Sequence, residues 1–210
     1  MISAVVQTID SNYKLTNITS KFNKHYAKLV GADYYLHIDK HKNFQHPSWG
    51  KIYSIIELLD KGYEFILSLD GDAVVIDFDR NIFKEFYPVD DRYENEIFLH
   101  VCSDGVGDEI YNFNAGVMLI KNNYISRSFF KNISEPNNTI LFNTRNWEQD
   151  AMQNEIKKDL NYFKNHIQIH DKNLFNHVGD WIYHPCHDTE NIKDREKEIF
   201  IKLKLNNINL

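Results

Sequence analysis

The stretch YEFILSLDGDAVVI, residues 63–76, runs an apolar strand straight into two aspartates. Tyr63–Leu69 follows a Lys61–Gly62 helix stop and is dominated by bulky residues, so it reads as a buried strand. Asp70 and Asp72 stand one residue apart at its end, and both can face one cation if Gly71 lets the backbone turn. Carboxylate oxygens suit a hard divalent ion, Mg²⁺ or Mn²⁺, kept partly open for phosphate oxygens. An Asp-Gly-Asp turn without a ligand is the plainer alternative; the strand ahead of it favours a site. Upstream, Ile2–Ile9 reads as a first strand, Asn12–Val30 as a helix stopped by Gly31, and Asp33–Asp39 as a second strand. Ser48 is placed to cap a helix from Trp49 to Leu59, with Trp49, Ile52, Ile55, Ile56 and Leu59 on one face. Downstream, Glu96–Cys102 and Gly116–Ile120 read as strands around the loop Ser103–Asn112. Trp147–Leu160 then reads as a helix and His166–His170 as a strand. This interleaving predicts an α/β sandwich whose first three strands are parallel, with ligands held beyond the C-terminal strand ends.

The composition narrows the function. With 24 basic and 30 acidic residues in 210, the formal charge is −6. No basic stripe is visible, so nucleic acid is not an expected partner. An anionic ligand would need a local device such as a metal ion or one placed lysine. No run approaches the ~20 apolar residues of a membrane helix. The start MISAVVQTIDSNYK lacks the basic segment and cleavage site of a signal peptide, which predicts a cytoplasmic protein. Cys102 and Cys186 lie outside any CxxC spacing and suit a reducing compartment.

Three further segments carry chemistry. In FNAGVMLI (113–120) small residues at a strand entry let a ligand approach the backbone, and Asn114 offers donor and acceptor to a hydroxyl; a bulge at Gly116 is the alternative. Trp147-Glu148-Gln149-Asp150 opens a helix, either as dipole complement or as a polar lining for a sugar. In GDWIYHPCH (179–187) a histidine after a short apolar run could complete a metal shell, moving the preferred ion from Mg²⁺ towards Mn²⁺.

Taken in order, WGKIYSIIELL, LSLDGDAVVID, FNAGVMLI, WEQDAMQ and GDWIYHP resemble the GT-A fold nucleotide-sugar glycosyltransferases from Ile2 to His184. The chain is most similar to their retaining galactosyltransferase and glycogenin groups, and to the small UDP-sugar-using domains of large chlorella viruses. The resemblance implies a GT-A (Rossmann-like) mixed central β-sheet flanked by α-helices, as a single domain over 1–210. Its UDP-binding half would cover about 1–77 and its donor-sugar and acceptor half about 78–210. It implies that Asp70 and Asp72 hold the metal and the donor diphosphate, with His184 as third ligand. Lys51 would reach the donor phosphate or sugar, while Gly71, Asn114 and Ala115 line the donor. Gln149 and Asp150 would stand beside the anomeric carbon, and Thr8, Ile9, Asp10 and Tyr13 would bind uridine, with Tyr13 able to stack on the base. The implied cofactor is Mn²⁺ or Mg²⁺. The implied reaction moves a hexosyl group from UDP-glucose or a related UDP-hexose to a glycan hydroxyl, with retention, in viral glycoprotein glycan synthesis.

Pro185-Cys186-His187 departs from the Gly-Cys or Lys-Pro-Trp run usual after that histidine, which makes His187 a rival ligand. An inverting reaction would instead require a base such as Asp104, Asp108 or Asp150. The competing reading is a haloacid dehalogenase-type phosphatase with Asp70 as nucleophile. Its acidic motif normally ends the first strand, whereas here two strands precede it.

Overall fold

The first strand, β1 (Ser3–Ile9), is rich in β-branched residues, and its first five positions are buried. A strand buried on both faces belongs in the middle of a covered sheet. In the computed structural model, β1 pairs in parallel with β2 (Asp33–Ile38) on one side and with β3 (Phe65–Asp70) on the other. The first three strands are parallel, as the sequence predicts. Beyond them, β6 (Phe113–Lys121) runs antiparallel to β3 and to β5 (Leu99–Ser103), and β7 (Ile167–His170) pairs in parallel with β5. The sheet order is β2-β1-β3-β6-β5-β7. A separate ribbon joins β4 (Val74–Val75) to β8 (Ile182–Tyr183). The described residues are 2–41, 45–88, 96–105, 110–135, 146–176, 179–185, 192–206 and 208. Asp108, Cys186 and His187 lie outside them.

Strand alternation divides the core into two layers. Ala4, Val6, Ile66, Met118 and Ile120 face a cluster with α2 (Gly50–Asp60), α4 (Tyr124–Ser134) and α5 (Trp147–Lys157), anchored by Trp49, Phe129, Phe130 and Met152. Val5, Phe65, Leu67, Val117 and Leu119 face the other way. They meet Tyr26 and Ala27 of α1 (Thr16–Val30), Phe83 of α3 (Ile82–Phe86) and Trp181. Helices α6 (Leu160–Phe163), α7 (Lys172–Phe175) and α8 (Ile192–Leu205) complete the order. Among the described residues no helix is long and apolar enough to cross a membrane.

Several boundaries differ from expectation for local reasons. The N-terminus of α1 recedes to Thr16 because the Asp10 carboxylate accepts the Asn12 N–H at 2.7 Å and the Asp10 carbonyl accepts from Tyr13, which forms a turn. At its other end Gly31 does stop the helix, at φ +74°, donating to the Ala27 and Lys28 carbonyls. Ser48 is not the cap of α2: it sits inside a 3-10 turn, Pro47–Trp49, whose cap is His46. On α2 itself Leu58 is buried, while Ile56 is only partly so. Helix α5 ends at Lys157, and Asp159 caps α6 by accepting from the Tyr162 N–H at 3.0 Å. Helix α4 was not anticipated, yet its start carries a reciprocal capping box between Asn123 and Ser126.

Strands β5 and β7, at the edge of the sheet far from β1, hold a histidine pair, with His100 Nδ1 2.9 Å from His170 Nε2 and Phe86 against both rings. Burial pushes His100 down to about 3, helped by His170, and pushes His170 down to about 4. Both rings are neutral in the fold, whereas the unfolded chain takes up protons below about pH 6.5. Stability is therefore lost as pH falls from there towards the folded values. The urea midpoint should fall by the equivalent of about 4 kcal/mol between pH 7 and 5, about half from each ring, and His100→Gln should flatten that slope. A midpoint that does not move over this range would contradict a buried neutral pair.

Candidate active site

Chain direction gathers the site. β1 and β3 run in parallel and end together, with Thr8 opposite Asp70. β6 runs the other way, and its pairing of Val117 with Leu69 brings Asn114, Ala115 and Gly116 to the same edge. In the ribbon, Val74 pairs antiparallel with Tyr183, so the residue after β8, His184, arrives beside Asp72, just ahead of β4. His184 Nε2 lies 3.2 Å from Asp72 Oδ1 and 3.7 Å from Asp70 Oδ2. One ligand atom from each of Asp70, Asp72 and His184 falls within 4.8 Å of the others. The His184 Nδ1–H donates to Asn176 Oδ1 at 2.8 Å, which aims Nε2 at the carboxylates: protonated it pairs with Asp72, and deprotonated it offers a cation its lone pair. Two carboxylates and one oriented imidazole nitrogen fit a divalent cation.

The charges around this set are tightly paired. Lys51, 3% exposed, reaches Asp70 Oδ1 at 2.7 Å, Glu148 Oε1 at 3.0 Å and the Ala115 carbonyl at 2.9 Å. Burial alone would lower its pKa, but Asp70 and Glu148 outweigh it and hold Lys51 above its ordinary range as a cation. Asp72 Oδ2 accepts from the Tyr13 hydroxyl at 2.9 Å and from Arg195 Nη1 at 2.8 Å. Burial would raise Asp72, yet His184, Arg195 and Tyr13 hold it well below the usual carboxylate range. Tyr13 moves the opposite way, raised by burial and by the Asp72 charge. With His184 deprotonated as a ligand, three carboxylates (Asp70, Asp72, Glu148) against two cations (Lys51, Arg195) leave one net negative charge for an incoming cation.

A cleft of about 430 Å³ opens over these groups. All four residues expected at uridine, Thr8, Ile9, Asp10 and Tyr13, line it, as do Lys51, Asp70, Gly71, Asp72, Asn114, Gln149 and His184. Ala115 and Asp150 are not among its described lining. The Ala115 N–H donates to Gln149 Oε1 at 2.8 Å, and Asp150 Oδ1 accepts from Asn146 Nδ2 at 3.1 Å. Asp104 is likewise off the lining. Sequence reasoning passed over three contributors, Arg195, Asn176 and His46, and named Glu148 only as part of a polar helix start. His46 lies flat on Trp147 at the rim, with centroids 3.5 Å apart and planes 3° apart. Trp147 has φ +40°, a costly conformation for a bulky residue at the start of a helix.

Gly116 and Gly71 are required for contact rather than flexibility. A Cβ on Gly116 would lie 2.0 Å from His184 Cε1, and one on Gly71 would lie 2.7 Å from Tyr13 Cδ1. Gly116→Ala should therefore expel His184 from the ligand set. We expect it to abolish stabilisation by Mn²⁺ in a thermal melt and to cost about 1–3 kcal/mol of stability through overpacking. A variant with the melting behaviour of the parent, with and without Mn²⁺, would rule out this packing of His184.

A mixed sheet flanked by helices, with an Asp-x-Asp pair at a central strand end and a histidine returned to it, is the arrangement of a GT-A glycosyltransferase. A family model described as nucleotide-diphospho-sugar transferase matches residues 5–204, and the chain belongs to that family. The phosphatase reading accordingly gives way. A search of curated proteins finds no match. Among solved structures, the chain is similar to a glycosyltransferase involved in glycosylation of the major capsid of PBCV-1. There the TM-score is 0.70 at 16% identity, covering 96% of this chain and all of that one. It is also similar to the galactosyltransferase LgtC in complex with donor and acceptor sugar analogs, with TM-score 0.59, 14% identity, and 96% and 95% of the two chains covered. The apo form of the Streptococcus pneumoniae glycosyltransferase GlyE matches with TM-score 0.57 and 16% identity over 97% of this chain and 60% of GlyE.

Proposed function

We propose that this enzyme transfers a hexosyl group from a UDP-sugar to a glycan hydroxyl, with retention and with Mn²⁺ or Mg²⁺ held by Asp70, Asp72 and His184. The observation that carries this reading is the meeting of those three residues in one cleft that Thr8, Asp10, Tyr13, Asn114, Glu148 and Gln149 also line. The cation, when bound, supplies Lewis-acid stabilisation of the leaving diphosphate. Residues 1–77 would hold the nucleotide and 78–210 the donor sugar and acceptor. Tyr13 presents its ring to the nucleobase while its hydroxyl stays on Asp72. Lys51 has its donors on Asp70, Glu148 and the Ala115 carbonyl, so it acts by fixing the two carboxylates that meet cation and donor. Glu148 Oε2 is buried with no hydrogen-bond partner among the described residues, and it accepts from a donor-sugar hydroxyl. Gln149 keeps a second lone pair on Oε1 for the positive charge developing at the anomeric carbon, and Asp150 supports it from outside the cleft lining. The acceptor hydroxyl gives its proton to the departing phosphate on the same sugar face.

The reading of a protein-linked glycan as acceptor, in a viral setting, is supported by the likeness of fold to the PBCV-1 enzyme. A panel of UDP, UDP-glucose, UDP-galactose and GDP-mannose, each with and without Mn²⁺, tests the proposal by thermal shift and by UDP release. A saturating UDP-sugar should stabilise the protein by about 3 kcal/mol at a hundred times its Kd, and only with the metal. No metal-dependent stabilisation by any UDP compound would overturn it.

A further inference from the structure

The basic side chains of this acidic chain are not spread evenly. Helix α1 carries Lys21, Lys24 and Lys28, all exposed, and has no aspartate or glutamate from Thr16 to Val30. It shares an apolar cluster with α8, in which Leu15, Ile18 and Phe22 join Ile199 and Leu203. The opposite side of α8 presents Lys197, Phe200, Ile201 and Lys204, spaced i, i+3, i+4 and i+7 along a shallow groove of about 380 Å³. Glu196 is the one carboxylate on that groove among the described residues. Phe200 is 51% exposed, Ile201 48% and Leu205 72%, large apolar surfaces to leave in water beside lysines. The lysines recur by helical turns rather than in a run, so no basic stripe is visible in the sequence.

We propose that the outer face of α8 is a docking surface for an anionic lipid bilayer. Apolar side chains enter the headgroup boundary while lysines alongside meet anionic headgroups, the division of labour of an interfacial amphipathic helix. A second copy of the chain fits less well, because a two-fold contact would set Lys197 and Lys204 against their own images. A nucleic acid would satisfy the lysines but offers no hydrocarbon to Phe200, Ile201 and Leu205. The inner face of the same helix holds Asp72 through Arg195, so the docked element is continuous with the cleft wall.

The test is co-sedimentation of the full chain with vesicles of phosphatidylcholine alone or with about 30% phosphatidylserine. Binding should require the anionic lipid and disappear in 0.5 M salt. Lys197→Glu with Lys204→Glu should weaken partitioning at least about tenfold, and Phe200→Ser on the order of tenfold. Circular dichroism confirms that each variant is folded. Failure to bind anionic vesicles, or equal binding to phosphatidylcholine alone, would overturn the proposal. So would a self-associating chain whose dimer survives Lys197→Glu. Salt-sensitive binding to a DNA duplex that Phe200→Ser leaves untouched would assign the face to polyanions instead.

Discussion

Asp72→Ala should leave a folded protein that no longer gains stability from Mn²⁺ and UDP and transfers sugar at least about a thousandfold more slowly. Both carboxylate oxygens of Asp72 are engaged. Oδ1 faces His184 Nε2 at 3.2 Å, and Oδ2 accepts from Tyr13 and Arg195. Truncation removes a ligand atom from the cation and frees Arg195 to swing over the cleft floor. Two losses are thereby combined, and Asp72→Asn separates them. The amide can still accept from Tyr13 or Arg195 but offers the cation no charge, so it should keep the fold and lose the metal response. Titration calorimetry of UDP with and without Mn²⁺ decides the matter. Full metal-dependent affinity in Asp72→Ala would remove Asp72 from the site.

Lys51→Met carries the largest expected effect on stability. The ammonium is buried and neutralises Asp70 and Glu148 together. Removing one partner of such a group leaves uncompensated charge in a poorly solvated place, which typically costs about 3–5 kcal/mol. For a chain of this size that corresponds to a fall in Tm of roughly 10 °C or more. Added Mn²⁺ should restore more of the loss in Lys51→Met than it adds to the parent, because a cation beside Asp70 replaces the missing charge. Lys51→Met with Glu148→Gln should recover part of the stability without metal, the non-additive result expected of contacting residues. A single variant melting with the parent would mean that Lys51 is not the cation these carboxylates require.

How far the site could be read from the sequence depends on how local each signal is. Asp70 and Asp72 are legible because the strand and the acidic pair are contiguous, and both lie on the cleft. Gly116 is legible as a close approach, although the group approaching it, His184, comes from 68 residues further along the chain and could not be named as such. The role expected of Lys51 rested on its place in α2. Its actual partners follow from the register of β6 and the start of α5, which no local pattern encodes. Arg195 was missed because α8 reads as a mixed-charge segment without a clear cap. Only its packing on Leu15 and Phe22 turns that arginine inward. Asn176 was missed for a similar reason: its task is to orient another side chain, and composition carries no trace of that.

The short ribbon of β4 and β8 also governs when activity can arise during synthesis. By His170 every strand of the large sheet has been made. Neither His184 nor Arg195 yet exists at that point. The two ends of the acidic cluster are separated by more than a hundred residues, and their meeting awaits the pairing of Val74 with Tyr183. Catalytic competence therefore awaits the segment beyond β7, which also completes the core with Phe175, Trp181, Ile199 and Leu203.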